Sequence, residues 1–129
     1  MISKRLLRPD RRRVVPSQFS WVDHRLVRHR RLQGCEHAAW ALYLFLVTVA
    51  DAEGLSYYSD ASLARHLSLD APSLARARQQ LIEAALLAYE KPLYQVLGLD
   101  EPEPRAASPV ARSAADILRQ VLRTPGGAS

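Results

Sequence analysis

The chain has 129 residues, 48% of them hydrophobic, with a net charge of +5 at neutral pH and a single cysteine. This length suits one small domain with tails rather than two substantial domains, and one cysteine excludes an internal disulfide. The most apolar stretch, residues 38–50, is shorter than the ~20 residues of a membrane-spanning helix. Because the basic N-terminus also lacks the apolar core of a secretory signal, we expect a cytoplasmic protein without a membrane partner.

Positive charge is concentrated in the first 33 residues. They contain ten Lys and Arg residues against two Asp, whereas residues 34–99 contain four basic and seven acidic residues, and residues 100–129 contain four of each. The net charges of the three parts are therefore +8, −3 and 0. A basic arm of this kind suits a polyanion, with nucleic acid first and an acidic membrane surface second. A solvated basic tail without a partner is the alternative.

The chain begins with an arm and a lead-in. Residues 1–18 are predicted to be a flexible arm, because they are rich in Arg and show no apolar period. Residues 19–22 are apolar and aromatic, and we expect them to pack on the domain as an extended lead-in. Asp23 can then cap a short helix that turns Leu26 and Val27 toward the core.

A strong helix is predicted over residues 35–52, since apolar residues recur there at intervals of three and four. Trp40, Leu44 and Val47 widen its apolar face, which predicts burial on more than one side. Residues 55–58 follow as a short β-like segment.

Two helices joined by a tight turn come next. Residues 59–62 offer N-cap chemistry for a helix through residue 67, residues 68–69 form the turn, and Asp70 caps a second helix to about residue 85. Residues 86–90 and 94–97 are predicted to pair as a hairpin. The predicted order is helix, strand, helix, turn, helix and hairpin, a mainly α fold with a small β-hairpin.

The C-terminal part is predicted to be separate from this domain. Residues 100–109 are a Pro-rich acidic linker, and residues 110–129 contain a small helix followed by a frayed tail. The apolar residues of that helix fall on one side: Ile117, Leu118, Val121 and Leu122. The predicted organisation is thus an arm (1–18), a domain with its lead-in (19–99), a linker and a C-terminal segment.

Three residue pairs mark the stretch from Ser59 to Leu87: Leu63-Ala64 in the first helix, Arg76-Ala77 in the second, and Leu86-Leu87 leading into the hairpin. In these pairs the chain resembles the winged helix-turn-helix family. With the long helix and the β-like segment included, residues 19–97 are similar to the N-terminal winged-helix domains of plasmid and phage replication initiators and related transcription regulators. The family often has Gly where Ala85 stands, so the end of the second helix is expected to be shaped differently here.

The resemblance implies that the second helix of the pair reads the major groove of duplex DNA. Arg76 would contact guanine through two hydrogen bonds, Gln79 or Gln80 would pair with adenine, and Ser73 would reach a phosphate or a base. Arg78 lies at an intermediate angle and would pair with Glu83 or with a phosphate.

Further residues would contact the DNA backbone. Ser62 and Arg65 lie where the first helix meets it, and Lys91 lies at the tip of the hairpin, the wing. Arg11–Arg13 would enter an adjacent minor groove or add nonspecific affinity. The complete set of predicted DNA-binding residues is Ser62, Arg65, Ser73, Arg76, Arg78, Gln79, Gln80, Lys91, Arg11, Arg12 and Arg13.

We therefore expect a protein that binds double-stranded DNA and is nucleoid-associated when bound. It would act as a transcriptional regulator or as a replication or mobile-element accessory factor. The alternative is an adaptor that docks onto another protein through the winged helix and residues 110–123, because the net charge of −3 over residues 34–99 is unfavourable for DNA. A homodimer formed through the long helix or the C-terminal segment stays open.

No enzymatic activity, cofactor or metal site is expected. The chain has no Gly-rich phosphate loop and no Ser, His and Asp set that can be assigned to catalysis. Cys35 and His37, with His24 and His29 nearby in sequence, are a weak metal signal because a second well-spaced pair is missing.

Overall fold

The computed structural model describes residues 3–100. Within them the helices are α1 (Arg25–Arg28), α2 (His37–Val49), α3 (Asp60–Leu67) and α4 (Ala71–Glu83), and the strands are β1 (Leu55–Tyr57), β2 (Leu87–Glu90) and β3 (Leu93–Val96). A 3-10 turn lies at Pro9–Arg11. The predicted C-terminal helix and all but the first residue of the predicted linker lie outside the described residues.

The strands form a three-stranded antiparallel sheet in the order β1-β3-β2. The hairpin of β2 and β3 is as predicted, with Tyr89 opposite Tyr94 and a cis peptide bond between Lys91 and Pro92 at its tip. On its other side β3 pairs with β1, which places Leu55 opposite Gln95. This mixed α arrangement with a small sheet is compatible with a winged-helix-like arrangement.

Local capping explains where α3 and α4 begin. The Ser59 hydroxyl accepts a hydrogen bond from the Ser62 amide at 3.1 Å, and the Asp70 carboxylate accepts one from the Ser73 amide at 2.7 Å. Both contacts satisfy amides that a helix leaves unpaired in its first turn. Between the two helices Ser68 adopts a left-handed conformation with φ of 55°, which ends α3 before the chain continues into α4. The predicted caps and turn are confirmed.

The core lies where α2 and α4 pack against each other and against the sheet. Each helix contributes residues at intervals of three and four, so one stripe of each is buried. The fully or almost fully buried core residues include Ala39, Leu42 and Leu46 of α2, Leu63 of α3, Leu74, Ala77 and Leu81 of α4, and Leu86, Leu87 and Tyr94 of the hairpin region. This packing leaves the opposite side of α4 facing solvent.

The predicted burial of α2 on more than one side is wrong for Trp40 and Leu44, whereas Val47 is partly buried and packs against the core. Trp40 is 42% exposed and Leu44 is 61% exposed, one helical turn apart, because no element of the described chain covers that face of α2. The helix is also shorter than predicted, since it begins at His37 and ends at Val49.

The predicted packing of the lead-in is also wrong. Phe19, Trp21 and Val22 are exposed, and the Ser20 hydroxyl makes the lead-in's one described hydrogen bond to α2, to the carbonyl of Thr48. In α1, Leu26 is buried but Val27 is exposed, since a four-residue helix turns only one of the two toward the core. Over residues 3–100, no helix is long and apolar enough to cross a membrane.

Candidate nucleic-acid interface

The outward ridge of α4 is the side opposite its buried stripe. Because consecutive residues of an α-helix are rotated by about 100°, burial of Leu74, Ala77 and Leu81 turns a different set of residues to solvent. The exposed residues of α4 are Ala71, Pro72, Ala75, Arg76, Gln79 and Glu83. The ridge therefore contains one cation, Arg76, and one carboxylate, Glu83, so its net charge is close to zero. Its polar side chains can still form hydrogen bonds with a ligand.

Arg76 is the cation of this ridge and already has two contacts within the protein. Its Nε lies 3.5 Å from a carboxylate oxygen of Glu36, and one terminal nitrogen donates to the Ser73 hydroxyl at 3.3 Å. Both ion-pair side chains are about half exposed, and exposed pairs of this kind are weak. A phosphate or a base edge can therefore replace Glu36 as the partner of Arg76.

Gln80 also contacts Glu36, and this contact holds its side chain within the fold. Its side-chain oxygen accepts a hydrogen bond from the Glu36 amide at 2.8 Å, just before α2 begins. Gln80 is therefore half-buried against the start of α2, and the prediction that it points outward for adenine is corrected. Gln79 lies on the exposed ridge, where its amide donates to Glu83 at 3.3 Å.

Arg78 lies on the flank of α4 that faces α3 and the sheet, with its side chain only 13% exposed. Its guanidinium donates to Asp60 at 2.9 Å and to the Tyr94 hydroxyl at 2.7 Å, and its central carbon lies 4.4 Å from the Tyr89 ring centre. The predicted pair with Glu83 is wrong. Because the guanidinium contacts Asp60, Tyr94 and Tyr89 within the protein, Arg78 contributes to the structure and is not free on the surface of α4.

Tyr94 is fully buried beside Arg78. Burial raises the pKa of its hydroxyl to about 12, and the hydrogen bond from Arg78 opposes part of that shift. The hydroxyl is thus a neutral acceptor for the Arg78 guanidinium at physiological pH.

The other predicted residues are distributed around the domain. Ser62 is half-buried in the first turn of α3, and Arg65 is exposed on the same helix. Lys91 is exposed between β2 and β3, and Arg11–Arg13 are exposed in the arm. Sequence reasoning missed the partners Glu36, Asp60, Tyr89 and Tyr94, because no local pattern links residues that lie 11 to 44 positions from the side chains they contact.

The histidine and cysteine residues weighed as a metal signal do not converge. Over residues 3–100, no three His, Cys, Asp or Glu side chains come together in a way that could hold a metal ion. Cys35 is half-buried, and burial raises the pKa of its thiol.

The chain matches no family model, no curated protein and no solved structure with which it was compared.

Proposed function

We propose that the described domain is a winged helix-turn-helix and that the protein binds duplex DNA through α4 and the basic arm. The observation that carries this proposal is the placement of α4. It follows α3 after a tight turn, precedes the hairpin directly, and turns Arg76 and Gln79 to solvent. A helix presented in this way can enter a major groove.

The proposed contacts are made by side chains that are exposed, or partly exposed in the case of Ser62 and Ser73. Arg76 would read guanine and Gln79 would read adenine, while Ser73 would bind a phosphate or orient Arg76. Arg65 and Ser62 on α3 and Lys91 at the hairpin tip would contact the DNA backbone. Arg78 and Gln80 are left out, since both side chains are engaged within the fold.

The charge distribution suggests different roles for the domain and the arm in DNA binding. Residues 34–99 carry a net charge of −3, whereas residues 1–33 carry +8. Most of the attraction to phosphates would therefore come from the arm, including Arg11–Arg13, and α4 would supply sequence preference. Such a protein would serve as a transcriptional regulator or as a replication or mobile-element accessory factor.

Selection of bound duplexes from a random pool, followed by salt titration of the enriched sequence, tests this proposal. Replacement of Arg76 by Ala should weaken binding by about 1–3 kcal/mol and relax the preference at one position. Replacement of Arg65 by Ala should instead weaken binding to all sequences alike. Replacement of Arg11, Arg12 and Arg13 together should flatten the salt dependence by about 0.9 in log–log slope for each lost phosphate contact. The absence of any enriched motif, with Arg76→Ala binding like the unmodified protein, would refute the role of α4.

A protein-binding adaptor is the second candidate. The exposed face of α2 favours it, because Trp40 and Leu44 lie one turn apart on a helix that contains no charged residue. Recovery of a stoichiometric protein partner, together with no duplex binding at low salt, would select this function over the first.

A further inference from the structure

We propose that the basic segment, residues 3–31, contains a second nucleic-acid site, which binds single-stranded nucleic acid by stacking unpaired bases on Phe19 and Trp21. Phe19 and Trp21 have no role in the proposed duplex binding through α4, whereas Arg11–Arg13 would be shared by the two sites. It rests on three features of the segment: the exposure of the two rings, the way the backbone between them is held, and the charge around them.

Neither aromatic ring of the lead-in is packed in the core. Phe19 is 65% exposed and Trp21 is 73% exposed. Ser20, between them, donates a hydrogen bond to the Thr48 carbonyl at 3.2 Å, so the backbone lies against the end of α2 while both rings face solvent. Two large aromatic side chains that are exposed two residues apart indicate a binding surface more than a packing element.

Cations surround this aromatic pair on both sides in the chain. The segment contains ten Lys and Arg residues and two carboxylates. Each carboxylate is paired within the segment: Asp10 with Arg8 at 2.8 Å, and Asp23 with Arg25 at 2.7 Å. The pairing lowers the pKa of Asp23 to about 2, with the hydrogen bonds from Arg25 as the main cause.

Most of the remaining cations are exposed, the exception being Arg31, which is partly buried and donates to the Leu99 carbonyl at 3.1 Å. Arg11–Arg13 precede the aromatic pair and Arg28 follows it, and all of them are exposed. A polyanion that follows the segment can therefore be neutralised before and after the point where it passes the rings.

The combination of rings and cations selects an unpaired strand over a duplex. In a duplex each base is covered on both faces by its neighbours, so a duplex would use the cations and leave the rings in water. An unpaired strand presents the flat faces of its bases, and aromatic stacking along a cationic track is how proteins hold such strands. An acidic membrane is the less favoured ligand, since residues 12–23 contain no amphipathic helix to lie in its surface.

The test uses tryptophan fluorescence in the full chain, which contains two tryptophans. In the Trp40→Phe variant, Trp21 is the only one left, and a 12-nucleotide oligo(dT) should quench its emission saturably and less strongly at high salt. In the Trp21→Phe variant, Trp40 reports from α2 and its emission should change little. Absence of quenching at Trp21, or equal quenching at Trp40, would overturn the proposal.

A matched pair of double variants supplies the affinity measurement. Replacement of Phe19 and Trp21 by Ala should weaken oligo(dT) binding, followed by fluorescence anisotropy, by about tenfold or more. Replacement of Val14 and Val15 by Ala, which removes exposed apolar side chains from the same segment, should leave it within about twofold. All four side chains are exposed, so the variants should fold normally, which circular dichroism verifies.

Three further outcomes would also overturn this site. The first is an equal loss of affinity in both double variants. The second is that a 12-base-pair duplex quenches Trp21 emission as strongly as the single strand does. The third is that anionic vesicles change Trp21 emission while oligo(dT) does not. Failure here is separable from failure of the duplex proposal, because the enriched duplex and Arg76→Ala test α4 with the aromatic pair unchanged.

Discussion

The guanidinium of Arg78 donates a 2.7 Å hydrogen bond to the hydroxyl of Tyr94, and this bond joins α4 to the central strand β3. The same guanidinium pairs with Asp60 at the start of α3 and lies over the ring of Tyr89 in β2. Both helices of the pair and both strands of the hairpin therefore meet at one side chain.

Replacement of Arg78 by Ala should lower the free energy of unfolding by about 2–4 kcal/mol. The change removes charged hydrogen bonds and leaves the buried Tyr94 hydroxyl without its partner. Urea denaturation measures the effect. Arg65→Ala, which removes an exposed Arg from α3, is the control and should change the free energy by less than about 0.5 kcal/mol. Equal effects of the two substitutions would contradict the structural position of Arg78.

Stability should fall as the pH rises from about 10 to about 12. Burial raises the pKa of Tyr94 to about 12 in the folded protein, so over this range the unfolded chain releases a proton that the folded protein keeps. The free energy of unfolding, measured in urea at several pH values, should decline less steeply in Tyr94→Phe. Part of the decline in the free energy of unfolding should remain in Tyr94→Phe, because burial raises the pKa of Tyr43 as well. If the free energy of unfolding falls equally steeply with pH in both proteins, Tyr94 does not contribute to the decline.

Two glycines with the same backbone conformation should differ in their tolerance of Ala. Gly54 has φ of 86°, and a Cβ atom there would lie 2.7 Å from the Val96 carbonyl oxygen, whereas Gly34 has φ of 87° and open space around it. Gly54→Ala should cost about 2–4 kcal/mol from strain and clash together, and Gly34→Ala about 1–2 kcal/mol from strain alone. Thermal or urea unfolding of the two variants compares them, and equal costs would rule out a clash at Val96.

Replacement of Ala85 by Gly should stabilise the protein by about 0.5 kcal/mol. Ala85 is exposed just after α4 with φ of 61°, a conformation that costs a residue with a Cβ atom about 1–2 kcal/mol and that Gly adopts freely. The greater freedom of Gly in the unfolded chain offsets part of the gain. The control is Ala88→Gly in β2, where Gly should destabilise. A lower melting temperature for Ala85→Gly would show that no strain is stored there.

Under the proposed duplex function, replacement of Glu36 by Gln should raise affinity for DNA about two- to fivefold. The Glu36 carboxylate lies 3.5 Å from Arg76 and competes with DNA for it. Exposed ion pairs are worth only about 0.2–1 kcal/mol, which limits the gain. Glu90→Gln, on the exposed end of β2, makes the same change in net charge and should raise affinity less. In an Arg76→Ala background the gain from Glu36→Gln should shrink to that of Glu90→Gln.

Elements governed by near neighbours were predicted well. The caps at Ser59 and Asp70 and the turn at residues 68–69 depend on contacts within a few residues, so they can be recognised directly in the sequence. The end of the second helix was expected to have a different shape at Ala85, and the structure shows a positive φ at this residue.

Contacts between distant residues were not predictable in this way. Gln80 and Arg78 look like surface residues of an amphipathic helix, and only the approach of α2, α3 and the sheet turns them into structural partners. The apolar pattern of α2 likewise does not say how many neighbours the helix will have, so Trp40 was expected in the core and is found exposed.

The amino-acid sequence alone is therefore enough for the order of the elements, the starts of α3 and α4 and the location of the basic charge, because each depends on local chemistry. The end of α4 was expected at about residue 85, whereas the helix ends at Glu83. The tertiary structure decides which polar side chains remain outside. Arg76 and Gln79 remain exposed, whereas Arg78 and Gln80 form hydrogen bonds with residues that are distant in the sequence. The burial of a side chain depends on all the residues around it, and these residues are brought together only when the helices pack against the sheet.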